Sequence, residues 1–175
     1  LEAGGPQHFG YTSKQLAMLC ASHNGEDSHV AQTQDMLDKA GLTCKALRCG
    51  CHVPSIFAQL ETSPPPGYTY DERHNNCSGK HAGFLGYCVQ NGLSLDDYID
   101  PNHPLQQAIR RDVARATNMD ANDFKMGIDG CSAPNYALPL ANLAQGYARL
   151  ASGARDSEFG ESFAALSDAM TAHPD

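Results

Sequence analysis

The 175 residues contain no tryptophan and no apolar run near the roughly 18 residues a membrane-spanning helix requires. Basic residues are scarce. Twelve Lys and Arg face 20 Asp and Glu, for a formal net charge of −8 and an isoelectric point near 5.3. Such a chain has no electrostatic footprint for nucleic acid or an anionic membrane surface. The only adjacent cations are Arg110-Arg111, a pairing that suits an exposed helix face. Seven cysteines are too few for a disulfide-built secreted scaffold, and their odd number leaves at least one thiol unpaired in a monomer. A cytoplasmic protein with free or metal-bound thiols is the expectation. Ser-x-x-Lys, the pairing in which lysine activates a serine nucleophile, does not occur. There is no internal repeat and no low-complexity tract. A hydrophobic content of 41% is ordinary for one globular domain with its own core.

What is present is concentrated in three short polar segments. Asn75-Asn76-Cys77-Ser78-Gly79-Lys80-His81 sets a thiol three residues before a lysine. If a helix opens at Ser78-Gly79, Cys77 and Lys80 share one face of its first turn. A lysine beside a thiol favours thiolate, and close packing can lower the lysine's own pKa. Asp129-Gly130-Cys131 supplies a second thiol with a carboxylate two residues before it. That carboxylate could hold the ammonium of an amino-acid substrate, orient Lys80, or simply form an Asp-Gly turn. Ser22-His23-Asn24-Gly25 ends an apolar stretch in a sharp polar turn. Its serine could face a cleft or bond local backbone. His23, His52 and His103 read as structural or surface histidines, and Cys20, Cys44, Cys49, Cys51 and Cys88 as structural or incidental thiols.

The periodicity predicts a largely helical chain. Thr12 caps a helix over 13–20, with Leu16, Leu19 and Cys20 at helical spacing. A second helix runs over about 28–40, burying Val30, Met36 and Leu37 and ending at Gly41. Residues 42–54 read as irregular, and Ser63-Pro64-Pro65-Pro66-Gly67 breaks any element. Further helices are expected over 79–90, from an entry at Asp100-Pro101-Asn102-His103-Pro104 to about Thr117 with Leu105, Ile109 and Val113 on one face, over 138–151 and over 157–172. Residues 125–128 read as a short strand that places Asp129 to Cys131 at its end.

Taken in order, these segments resemble the bacterial-type L-asparaginase II family, whose fold is akin to serine β-lactamases and glutaminases. It is distinct from the threonine-nucleophile asparaginases. The resemblance spans nearly the whole chain. It includes Gln15 to Val30, Cys49-Gly50-Cys51-His52-Val53-Pro54, His103-Pro104-Leu105-Gln106, and the spacing of Ser22, Cys77 and Cys131. It implies an α/β serine β-lactamase-like fold of which residues 1–175 form one domain's central piece, mainly helical with few short strands. The terminal segments of such a fold build most of its sheet.

The activity implied is hydrolysis of L-asparagine to L-aspartate and ammonia by acyl transfer to serine. Ser22 resembles the second catalytic or proton-relay hydroxyl. Cys77, Lys80 and Cys131 resemble the ligands of a zinc ion that shapes the substrate pocket and does not generate the nucleophile. Lysine is an unusual zinc ligand and coordinates only when neutral. Asp129, His81 and Asn76 fall on the substrate side. Glutamine, one methylene longer, is a plausible side substrate, and a homodimer is compatible with the family. The same resemblance implies an Arg-Ser-x-x-Lys stretch upstream of Leu1 and a further lysine downstream of Asp175. The chain is thus expected to be the central piece of a longer enzyme. The rival expectation is a non-catalytic zinc-binding module or an inactive fragment.

Overall fold

The computed structural model describes residues 4–174. Eight α-helices occur among them: α1 (Gly5–Phe9), α2 (Ser13–Cys20), α3 (Asp27–Lys39), α4 (Ser55–Gln59), α5 (Ser78–Gln90), α6 (Pro104–Thr117), α7 (Leu140–Ser152) and α8 (Gly160–Ala172). The strands β1 (Lys125–Ile128) and β2 (Pro134–Ala137) form an antiparallel hairpin, with Lys125 opposite Ala137 and Ile128 opposite Pro134. The chain is mainly helical with one small sheet, as the periodicity predicts. The two five-residue helices α1 and α4 and the second strand were not expected. The first two are too short to show a period, and β2 starts on a proline.

The core lies between α3, α5 and the start of α6. Met36, Leu37, Leu85, Cys88 and Tyr98 are fully buried there, with Leu47, Cys49, Leu105, Cys131 and Ala133 around them. Each large aliphatic side chain so buried contributes about 1.5–3 kcal/mol relative to exposure. Val30 is only half-buried, at the edge of this layer. α5 packs on both α2 and α3, and α2 also packs against α8.

The start of α2 follows from its cap. Thr12 Oγ1 accepts the Gln15 backbone N–H at 3.3 Å, and Gln15 Oε1 accepts the Thr12 N–H at 2.9 Å, a reciprocal capping box. The buried face of α2 is not the one its apolar spacing suggests. Gln15, Ala17 and Met18 are buried, Leu16 and Leu19 are half-buried, and Cys20 is exposed. Gln15 wins this place because its amide is saturated. Its Nε2 donates to Asp35 Oδ2 at 2.6 Å, and Lys39 Nζ donates to its Oε1 at 3.0 Å.

α2 meets α5 closely because α5 begins with Ser78-Gly79. A Cβ at Gly79 would sit 2.7 Å from the Met18 carbonyl oxygen, so only glycine lets the two backbones approach this far. The contact sets the end of α2, and hence the Ser22 turn, against the start of α5.

Candidate functional site

The first turn of α5 is built by Asn75. Its Oδ1 accepts the Cys77 N–H at 2.8 Å, its backbone carbonyl accepts the Ser78 N–H at 2.9 Å, and its Nδ2 donates to the Cys49 carbonyl at 2.9 Å. Asn75 therefore braces backbone. Cys77 caps the helix, and Lys80 follows one turn later on the same side.

The opposing wall is the β1–β2 loop. Asp129 N–H donates to the Ala133 carbonyl and Ser132 N–H to the Asp129 carbonyl, both at 2.9 Å. Ser132 takes a left-handed φ of 69°, which closes the loop and turns Cys131 inward to 3% exposure. Strand β1 itself is exposed along its length, so the hairpin presents this loop without itself filling the core.

Four of the residues singled out in the sequence converge here. Lys80 Nζ lies 3.3 Å from Cys131 Sγ and 3.7 Å from Asp129 Oδ2, and Cys131 Sγ lies 3.6 Å from the same oxygen. Ligand atoms of Cys77, Asp129 and Cys131 all fall within 4.8 Å of one another. Asp129 is thus as close to the thiols as a metal ligand would be, a placement its position two residues before Cys131 hinted at. Its Oδ1 accepts the Gly130 N–H at 2.6 Å, leaving Oδ2 turned toward Lys80.

The electrostatics follow from burial and from each other. Burial raises the Cys77 thiol above its ordinary pKa, Lys80 opposes that, and the Cys131 sulfur adds to it. Burial pulls the Lys80 ammonium down, but Cys77, Cys131 and Asp129 together outweigh it and raise its pKa. A third thiol stands nearby. Cys49 is buried, donates to the Glu72 carbonyl at 3.4 Å, and is pushed up to about 12 by burial, with Cys131 and Cys77 adding to the effect. None of the seven cysteines forms a disulfide. Cys88 is buried like Cys49, whereas Cys20 and Cys51 are exposed.

The other candidate residues lie around this group. His81 follows Lys80 but turns into the core, fully buried between Phe84 and Tyr98. The Tyr98 hydroxyl accepts the Arg48 N–H at 2.8 Å and donates to His81 Nδ1 at 2.7 Å. That leaves a proton on His81 Nε2, buried and without a partner among the described residues. Asn76 is half-buried, and its side-chain Oδ1 lies 3.1 Å from His52 Nε2.

Ser22 is exposed and opens onto a separate cleft of about 170 Å³. Lys14, Met18, His23, Asn24 and His29 line it with His173 and Pro174. No hydrogen bond joins the Ser22 side chain to the Cys77 group among the described residues. The two are linked through the next residue, because the His23 N–H donates to the Asn76 carbonyl at 3.1 Å. The buried side-chain partners of His23 had no signal in the sequence, since they come from positions far along the chain.

No individual curated protein matches this sequence. A family model described as L-asparaginase II does match, from residue 1 to residue 175. With that match over its full length, the chain belongs to the L-asparaginase II family.

Proposed function

We propose that this chain forms the substrate and metal pocket of an L-asparaginase, which converts L-asparagine to L-aspartate and ammonia. The observation that supports it best is the convergence of Cys77, Lys80, Asp129 and Cys131 in a chain matched throughout by that family. The overall architecture in this reading is an α/β serine β-lactamase-like fold, to which the described residues contribute mainly helices.

The donor set fits zinc. Two soft sulfurs and a carboxylate within one coordination sphere's reach are ordinary zinc chemistry. Cys77 and Cys131 would hold the ion, with Lys80 as a further ligand once it has lost its proton and Asp129 either beside it or in its place. When bound, the ion would supply a fixed positive charge that shapes the pocket and polarises substrate oxygen. Asp129 Oδ2 is the group placed to accept hydrogen bonds from a substrate ammonium. Asn76 falls on the substrate side, while His81, buried behind Lys80 against Tyr98 and Phe84, braces the wall without facing substrate.

Ser22 is the hydroxyl assigned to acyl transfer or to proton relay, working with a lysine that this chain's Ser22 turn does not supply. The protein is read as cytoplasmic, with asparagine as its substrate and a homodimer as an assembly compatible with the family.

Ammonia release from L-asparagine tests the reading, measured on the purified chain beside Ser22→Ala with circular dichroism as the folding check. Release abolished in the variant supports a serine hydrolase. Release unchanged in the variant overturns the role of Ser22. A folded chain that binds zinc but releases nothing supports the non-catalytic alternative.

A further inference from the structure

Behind Cys77 and Ser22 lies a buried polar cluster that no step of the proposed reaction uses. His23 is 8% exposed, Thr33 and Ser78 are fully buried, and their side chains meet. His23 Nδ1 accepts the Gly25 N–H at 3.1 Å, so the ring proton must sit on Nε2. Nε2 lies 2.9 Å from Ser78 Oγ and donates to it. Ser78 Oγ in turn donates to the Arg73 carbonyl at 2.7 Å, and Thr33 Oγ1 at 3.0 Å completes its second acceptor site. Each ring nitrogen of His23 has one partner of the right kind, and the Ser78 hydroxyl has three, donating once and accepting twice. The stacked ring of His29, 5.0 Å away, closes the apolar side of the cluster.

These bonds join particular places. His23 directly follows Ser22, and Ser78 directly follows Cys77 within the Cys77-to-Lys80 turn. The His23 backbone N–H reaches Asn76 on the other flank of Cys77. One residue thus grips both neighbours of a thiol ligand candidate while carrying the serine in its own turn. Gly25 fixes the far side of that turn. Its φ is +73°, and a Cβ there would meet the His74 carbonyl oxygen at 2.6 Å, so only glycine lets the turn lie this close to the 74–78 segment.

We propose that His23 is a positioning residue whose Nε2–H bond to Ser78 holds the Ser22 turn in register with the Cys77–Lys80 turn. The inference rests on the functional reading above for its catalytic consequence, but the tie itself can be tested without turnover. Two substitutions separate the ring's two ends. His23→Gln keeps a donor at the reach of Nε2, whereas the amide of His23→Asn stops near the position of Nδ1 and cannot reach Ser78.

The experiment measures zinc affinity by competition with a chromophoric chelator in the full chain, for wild type, His23→Ala, His23→Gln, His23→Asn and Ser78→Ala. Heteronuclear NMR of wild type reads the His23 tautomer, and circular dichroism confirms folding. The expected results are a neutral Nε2–H tautomer and a loss of zinc affinity of about tenfold to a hundredfold in His23→Ala and His23→Asn. His23→Gln recovers most of it, and the His23→Ala, Ser78→Ala double variant loses no more than either alone. An Nδ1–H tautomer, or equal losses in His23→Gln and His23→Asn, overturns the tie. Asparagine turnover provides the second arm, with kcat falling about a hundredfold in His23→Ala and KM little changed. If wild type binds zinc and releases no ammonia, the functional reading fails while the zinc series still decides the role of His23.

Discussion

Lys80 Nζ stands 3.3 Å from Cys131 Sγ although 51 residues separate them, and Asp129 Oδ2 lies 3.7 Å from the same nitrogen. An ammonium held by two sulfurs and a carboxylate keeps its proton more tightly than a free lysine, and the Cys77 thiol likewise keeps its own. Metal binding must displace those protons. Zinc affinity should therefore rise with pH between about pH 6 and pH 8, by about tenfold per pH unit for each proton released. Chelator competition across that range measures it. A flat profile would mean that the thiols and the amine are not the ligands.

Asp129 has two readings that one variant separates. Asp129→Asn keeps the acceptor for the Gly130 N–H but removes the charge that faces Lys80 and Cys131. Because its Oδ2 is grouped with both sulfurs, zinc affinity should fall about tenfold to a hundredfold. If zinc affinity holds and only the KM for asparagine rises, the carboxylate serves the substrate ammonium instead.

Two glycines near the site should respond unequally to the same change. Gly79→Ala drives a methyl to 2.7 Å from the Met18 carbonyl oxygen, a clash with backbone that no rotamer relieves. Overpacking of this kind costs about 1–3 kcal/mol and should move the Cys77–Lys80 turn off α2. Gly130→Ala, on the loop beside Asp129, meets nothing within 4 Å and should change stability by less than about 0.5 kcal/mol. Urea unfolding of both variants checks this. Equal midpoints would show that α2 and α5 can separate at little expense.

Much of this arrangement is legible in the amino-acid sequence. Cys77 and Lys80 are a helical turn apart, and Cys131 follows a segment that reads as a strand, so local rules placed each of them well. Thr12 announced α2 through its cap. What could not be read depends on partners distant in sequence. Gln15 is buried because Asp35 and Lys39 satisfy it, against the apolar spacing of Leu16 and Leu19. His23 looked like one more structural histidine, because its bond to Ser78 spans 55 positions and leaves no periodic trace. His81 looked like a site member by adjacency alone, yet the hydroxyl of Tyr98 and the ring of Phe84 draw it into the core.

The two buried histidines make stability depend on pH in a definite direction. Burial lowers the His23 pKa to about 4, with His29, His52 and His74 contributing, and lowers that of His81 to about 3, with Lys80 contributing and Asp129 opposing. Both are below the unfolded value of 6.5, so the unfolded chain binds the extra protons as the solution is acidified. Stability is fully present above about pH 6.5, falls as pH drops toward about 4 for His23 and about 3 for His81, and levels off below. His23 contributes about 3 kcal/mol and His81 about 5 kcal/mol across their windows. Asp35 and Asp71, held below the usual carboxylate range by Lys39 and Arg73 respectively, stay ionised through most of it. Urea midpoints taken at steps from about pH 7.5 to pH 4.5 should decline throughout the lower part of that range. The decline should be shallower in His23→Gln, whose amide has no proton to gain. An unchanged slope in that variant would mean that His23 takes up its proton as readily in the folded protein as in the unfolded chain, against the burial and the Gly25 N–H bond that hold its ring neutral.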